Sequence, residues 1–574
     1  MLFRQSAVRE LTRETVTEAW DVMPEDIMAV FLGSGVLAAG FDATGLQGLN
    51  FRIGQYPDTA SVTHPDMLIR DNLHLYHSDA LSRHYRQRRE PPGPQRPDWV
   101  PMPLGWLDYV VEIDGRVYET EAIKQHARDW RRNFTPRTGL AETSFTLAGV
   151  RLRWRCNIAP DRYAFHFAFD AEADRPFELA LTVRCHQSLR DGQALATGGF
   201  DTAAADDHVR RTWRASTETS TEIVHRPVTI TWALACAEEA DYTEADDRIE
   251  LRWAGEGKSL GTGLRVVCGS DRADTHTVEY VDEQVRLLRD RGIEEALQEA
   301  ATAWTDFAAQ GLDFEIGDAE KEFLTRQQQY LLRSGQSWFN GLFSGNLWSQ
   351  RFHGRTFWDA FFMADGMLRT GRVEQVRQFA DWLVRTMRPD GRPHMWMTHW
   401  DGTPGTPGDT PAWFLNLHFA HVQIRLYEHT HDSEDLRQRA FPYLHRVAAF
   451  ILDEVLARDG EGWALVGQTA HDIGKGDREA AKQRGVLAMT AAVLARCADY
   501  GEALGHGDQT VRACREVADY FRAHPIDLSE PGMWDMRIPY MGDVEPFADM
   551  AGWWRYVYDY FENLPAATYH LMPW

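Results

Sequence analysis

Cysteine is scarce and scattered. Cys156, Cys185, Cys236, Cys268, Cys497 and Cys514 are the six in 574 residues, and no CxxC pair supplies the spacing of a zinc or redox centre. Four of them stand at inward positions of alternating apolar segments, so buried free thiols are expected. Long apolar runs are missing, which leaves no segment of the roughly 20 residues that a membrane-crossing helix needs. Basic charge is in deficit, with 61 Lys and Arg against 85 Asp and Glu and a formal net charge of −24. Such an excess repels phosphate backbones and anionic lipid, so no nucleic acid and no membrane is expected as a partner. The opening MLFRQSAVRELTRETVTEAW is charged and helix-like and has no signal-peptide core, which together with free thiols points to the cytoplasm. Internal repeats and nucleotide-binding glycine loops are lacking too. The GSG at residues 33–35 has the wrong spacing and no helix start behind it.

What is present falls into two halves, and the length asks for at least two domains. From about residue 104 to 267 the apolar period is two. Leu107, Tyr109, Val111 and Ile113 alternate up to Asp114-Gly115, a hairpin signal. The pattern returns through Leu152/Trp154/Cys156, Tyr163/Phe165/Phe167/Phe169, Leu179/Leu181/Val183, Trp232/Leu234 and Leu251/Trp253. It predicts an antiparallel β-sandwich of two large sheets, with residues 29–41 feeding the same sandwich as a strand and turn. Near residue 277 the period changes. Val281, Val285, Leu288, Ile293, Ala296 and Leu297 fit a linker helix running through Trp304, and Asp318 reads as the cap of the next helix. Val376/Phe379/Ala380/Leu383/Met387 and Leu444/Val447/Ala448/Ile451/Val455 are helical stripes. The layout expected is an α+β multidomain chain: a β-sandwich domain over 1–270, a helical linker over 271–317 and a helical toroid over 318–574.

The stretch RFHGRTFWDAFFMADGMLRTGR, residues 351–372, is where the helical half carries chemistry. A Trp beside an Asp at a helix mouth suits a sugar: the ring of Trp358 offers an apolar face to C–H groups, and Asp359 accepts hydroxyl donors. The same residues have a structural use, with Asp359 capping the helix and Trp358 packing in the core. Two long loops, 388–411 and 462–485, are rich in polar and aromatic residues, and loops of that length in a compact helical domain are usually functional. Arg355, His394, Trp396, His399, Trp400 and His418 are the side chains expected to line a sugar site. HMWMTH at 394–399 is not a metal motif, since its histidines are five apart with no acid between them. Neither metal nor cofactor is expected. The 21 tryptophans fit aromatic sugar platforms or a large helical core.

Residues 296–372 resemble the glycoside hydrolases of family 65, the maltose, trehalose and kojibiose phosphorylases and their hydrolase relatives. His353-Gly354-Arg355-Thr356-Phe357-Trp358-Asp359 is similar to their Gly-His-x-Phe-Trp-Asp segment, in which Trp and Asp hold the sugar. Ala301 to Trp304 resembles their linker tryptophan region, and Leu417-His418-Phe419-Ala420 the helix with an active-site histidine. The resemblance implies a sandwich, a helical linker and an (α/α)6 barrel in that order. Trehalases and debranching-type glucosidases have comparable Trp-Asp helices.

This chain also departs from the family pattern. The family's general acid is a glutamate in a Gly-Pro-Asp-Glu-Tyr turn, and the corresponding region here is VGQTAHDIGKGDRE, residues 466–479. Aligned on Gly467, the glutamate position holds Ala470, with Asp472 the nearest acid. Aligned on Gly476, Glu479 falls in place, with Thr490 at about the family spacing. Asp472, Glu479 and neither are the alternatives. About eight helices follow Asp318 by period where six hairpins are needed, so the toroid is expected to be incomplete. The resemblance implies an inverting glycosidase or glycoside phosphorylase acting on an α-glucoside. Its partners would be an oligosaccharide and, for phosphorolysis, inorganic phosphate, with a homodimer left open. The alternative is a non-catalytic carbohydrate-binding homologue without the catalytic pair.

Overall fold

The computed structural model describes residues 8–24, 30–34, 37–46, 48–53, 106–186, 200–205, 208–215, 228–245, 248–270, 277–313, 315–336, 341–343, 355–356, 359–391, 397–398, 415–460, 462–466 and 477–524. Two strands, β1 (Val8–Leu11) and β2 (Val16–Val22), stand where the charged opening suggested a helix. Cross-strand partners explain the difference. Trp20 lies opposite Trp130 with ring centroids 5.2 Å apart, and Glu18 opposite Arg132 with an ion pair at 2.5 Å. Such pairs, with β-branched Val16 and Thr17, outweigh a modest helix propensity.

Next come β3 (Val30–Gly33), β4 (Leu37–Phe41) and β5 (Gly48–Ile53), which form a three-stranded sheet of their own rather than joining the main one. Phe41 carries it onto the core, its ring 5.8 Å from those of Phe165 and Phe167. The hairpin expected at Asp114-Gly115 joins β6 (Trp106–Ile113) to β7 (Arg116–Tyr118). Its residues have φ of 51° and 76°, the doubly positive turn that matches strand twist. A short helix, α1 (Thr120–His126), then leads into β8 (Arg128–Thr135), β9 (Leu140–Leu147), β10 (Val150–Ile158) and β11 (Ala164–His186). β12 (Phe200–Ala205), β13 (His208–Ala215), β14 (Val228–Cys236), β15 (Asp241–Ala245) and β16 (Arg248–Ser270) follow.

Hydrogen bonding joins these strands, β3–β5 apart, into one antiparallel sheet of 13, where the alternation suggested two separate sheets. The cause is the length of β11 and β16, 23 residues each and paired with one another over most of that length. One half of β11 pairs with β10 and the other with β6. Its register shifts between Glu172 and Phe177, a stretch that includes Pro176, which has no N–H to donate. The sheet thus has two arms, and Tyr109 of β6 packs on Trp154 of β10 with centroids 5.2 Å apart.

Small residues prepare the other face. Ala164, Ala233, Ala235 and Val267 form a flat seat for Val281, Val285 and Leu288 of α2 (Thr277–Ala309). Each of those three side chains stabilises the docking by about 1.5–3 kcal/mol. This is the linker helix expected from the sequence, broken at Gly292, where φ is 76°. A Cβ on Gly263 would overlap Ile293, so glycine in β16 is what lets the second half of α2 settle on the sheet. There Asn157 donates to the Leu297 carbonyl at 2.9 Å and Trp304 to that of Ile158 at 2.7 Å.

The helical layer begins at α3 (Ala319–Ser334), capped as expected by Asp318, whose carboxylate accepts the Lys321 N–H at 3.2 Å. It continues with α4 (Asp359–Arg369), α5 (Val373–Thr386), α6 (Leu415–Thr430), α7 (Phe441–Phe450), α8 (Asp477–Ala503) and α9 (Gln509–Ala523). Val376, Phe379, Ala380 and Leu383 are the buried stripe of α5. Leu444, Val447 and Ala448 are buried on α7, and Ile451 and Val455 on the wider turn that extends it. All six cysteines are buried and free. Helix α6 packs against α4, α5, α7 and α8, and every residue from Asn416 to Gln423 is buried.

Candidate functional site

The α4 mouth is built from backbone pairing. Two-residue strands β17 (Arg355–Thr356) and β18 (Met397–Thr398) pair antiparallel, Arg355 opposite Thr398 and Thr356 opposite Met397. Helix α4 starts three residues after Thr356, with Asp359 as its first residue. The segment leading into the Trp-Asp pair and the His-Trp loop, 43 and 41 residues apart along the chain at their two paired positions, are therefore neighbours.

Behind this mouth α4 meets α6. Phe361 lies 6.0 Å from the His418 ring and 5.8 Å from that of His421, and Phe362 lies 6.4 Å from His418. Both histidines are fully buried. Burial is the largest influence on His421, followed by the charges of His418, Arg425 and Arg496, and together they hold its pKa well below the usual imidazole value. It is neutral at neutral pH. Phe362 is different: 39% of its surface is exposed.

One turn further along α4, Asp365 is buried and accepts from Arg369 at 2.6 Å and from Arg425 of α6 at 3.1 Å. Arg425 also reaches Glu428 (3.3 Å), which accepts from Arg496 of α8 (3.0 Å). Arg496 faces Asp499 at 3.5 Å, and Arg515 of α9 binds Asp499 and Glu502 at 2.6 and 2.8 Å. This chain of alternating charge ties four helices together on one side of the histidines.

Of the expected site residues, His418 is the one described with its side chain. For Arg355, Asp359 and Glu479 the backbone is described: Glu479 lies in the first turn of α8, and the helix later carries buried Thr490, whose hydroxyl donates to the Val486 carbonyl at 2.8 Å. Trp358, His394, Trp396, His399, Trp400 and Asp472 lie outside the described residues. His421 and the Asp365–Arg425 pair were missed by the sequence reading. The signal was available, since His421 and Arg425 follow His418 at three and seven residues, the helical spacing of one face. Among the described residues no group of three or more His, Cys, Asp or Glu is placed to hold a metal ion. No helix described is long and apolar enough to cross a membrane.

A large antiparallel sheet, a long helix across it and a helical layer define an α+β fold. A protein from the human microbiome assigned as a kojibiose phosphorylase matches with a TM-score of 0.62 at 10% identity, over 89% of this chain and 70% of that one. A bacterial glucoamylase solved with acarbose has a TM-score of 0.49 at 12% identity, over 74% and 61%. A family GH92 inverting mannosidase from Bacteroides thetaiotaomicron has 0.39 at 10%, over 89% and 61%. The family 65 resemblance read from the sequence is thus matched in fold. No protein-family model and no curated protein matches the sequence.

Proposed function

We propose that this chain cleaves an α-linked glucoside with inversion, by hydrolysis or by phosphorolysis. The observation that supports the reading is the pairing of Arg355–Thr356 with Met397–Thr398, which joins the two segments that hold most of the candidate sugar ligands just before α4. In this reading Trp358 offers its ring to the sugar and Asp359 accepts hydroxyl donors, while Arg355, His394, Trp396, His399, Trp400 and His418 complete the subsite. Asp472 is the general acid, with Glu479 the alternative. The acid protonates the leaving glycosidic oxygen, and water or phosphate enters at the anomeric carbon from the opposite face. The work belongs to a third unit over 318–574, beside a β-sheet unit over 1–270 and a linker over 271–317, in the cytoplasm.

Proton NMR of the first product released from maltose, kojibiose, trehalose and nigerose, with and without phosphate, tests this. A β-anomer appearing first, lost in Asp472→Asn and kept in Glu479→Gln, is the expected result. The reverse pattern moves the acid to Glu479. A folded chain whose tryptophan emission responds to a glucoside but which turns over none overturns the enzyme and leaves a carbohydrate-binding protein.

A further inference from the structure

Where the sheet, α2 and α3 meet there is a cavity of about 30 Å³, lined among others by Arg137, Trp304, Phe307, Asp313, Gln329 and Arg372. Arg372 is 1% exposed. Its Nη1 donates to the Thr370 carbonyl at 2.9 Å and its Nη2 to Gln329 Oε1 at 2.8 Å, both neutral acceptors. Its guanidinium lies 4.4 Å from the Phe307 ring centroid, and Nε is buried with no hydrogen-bond partner among the described residues. The carboxylate lining the cavity is taken: Asp313 binds Arg326 at 2.5 Å and Arg137 at 3.2 Å. Burial brings the Arg372 pKa down to about 10.

The chain makes room for this cation. A Cβ on Gly311 would overlap the guanidinium, and Gly371 just before it has φ of 82°, which a side chain rarely adopts. A buried cation held this way, without a counter-charge among the described residues, is costly unless something else completes it. A water needs about 10–15 Å³ of such space, so the cavity holds a few water-sized atoms, the bulk of a tetrahedral oxyanion's oxygens.

We infer that this cavity binds a small inorganic oxyanion, gripped by Arg372 Nε and Arg137 between the sheet and the helical layer. It is distinct from the α4 mouth: Arg372 lies just past the far end of the helix whose first residue is Asp359, roughly 16 Å away along its axis. An anion there ties Arg137 of the sheet domain to α2 and to the loop before α5, so it acts on the joint rather than on the sugar.

The probe is sulfate, titrated from millimolar concentrations against chloride at equal ionic strength, read by thermal unfolding. A saturable rise in Tm of about 2 °C at a hundredfold excess over Kd is expected for a chain of this size, and its loss in Arg372→Met. A rise that does not saturate, or one that Arg372→Met retains, overturns the site. Should Arg372→Met not fold, crystals of the unaltered protein soaked in selenate decide. An anomalous peak within hydrogen-bond distance of Arg372 Nε supports the site, and a peak on the surface alone means an adventitious ion only.

Discussion

Gly139 and Trp304 meet so closely that no methyl group fits between them: a Cβ on Gly139 would lie 2.6 Å from the indole Cδ1. The same indole donates to the Ile158 carbonyl, so its position is fixed from both sides. Gly139 also has φ of 61°. Gly139→Ala is therefore expected to cost about 2–4 kcal/mol, part backbone strain and part overlap. Urea unfolding measures it, and a cost below about 0.5 kcal/mol would mean that the indole is free to shift.

The buried Asp365 sits between two guanidinium groups. Asp365→Asn keeps the volume and removes the charge, leaving Arg425 with Glu428 alone. Because Arg425 is partly exposed, the loss expected is about 1–3 kcal/mol, below that of a fully buried pair. Chemical denaturation reads it. Arg425→Met paired with Asp365→Leu should cost less than either change alone if the charges chiefly serve one another.

Acid should weaken the fold in a defined window. His166, which accepts from Arg265 Nε at 3.1 Å, and His421 both have pKa values held well below the usual 6.5, chiefly by burial. Below about pH 6.5 the unfolded chain takes up these protons and the folded chain does not. Their contribution is full above that pH and is lost as pH falls toward the folded values, at up to about 1.4 kcal/mol per pH unit for each group. Denaturation midpoints between pH 7.5 and 5 check this, and His166→Phe should flatten the slope. An unchanged slope would place the proton uptake elsewhere.

Particular residues show what could be read in the sequence. Asp114-Gly115 announces its hairpin through turn chemistry, and Val376, Phe379, Ala380 and Leu383 announce a helix face through spacing; both are local. The opening strands were misread because what makes them strands, Trp20 on Trp130 and Glu18 on Arg132, lies more than a hundred residues away. The single sheet was illegible for a similar reason: alternation tells which side of a strand is apolar, not how many partners its length will serve. At the site, the loop 388–411 stands out by its length and its polar and aromatic content, while its pairing with Arg355–Thr356 through Met397–Thr398 is long-range and has no local signal. The candidate acid is a different matter, since neither Asp472 nor Glu479 carries a local signature beyond its place in a loop or a first turn.

Asp359→Asn separates binding from capping. As a sugar ligand Asp359 should lose glucoside binding, or turnover, on this change. Its helix-start position contributes only about a kcal/mol, so Tm should move by no more than a few degrees. Titration by tryptophan emission and a melting curve read the two together. A large drop in Tm with binding retained would make Asp359 a structural cap.

Residues 311–318 join α2 to α3, with Leu312 and Ile316 more than half exposed. Limited proteolysis is expected to cut there or at 270–280 first, leaving α2 with the sheet when the cut falls at 311–318, because Trp304 anchors it. Early cutting within 150–186 would count against the proposed division.

The two 23-residue strands carry a mechanical meaning. A sandwich of separate sheets can come apart along the seam between them, each layer peeling as a unit. Here β11 and β16 run through both arms, paired along nearly their full length, so a tear that opens one arm must cross the same two strands that hold the other. The pairing of these two strands shifts register around Pro176, and even there β16 continues past it. Load on either edge is thus shared by the whole sheet, which should yield at a single force rather than layer by layer.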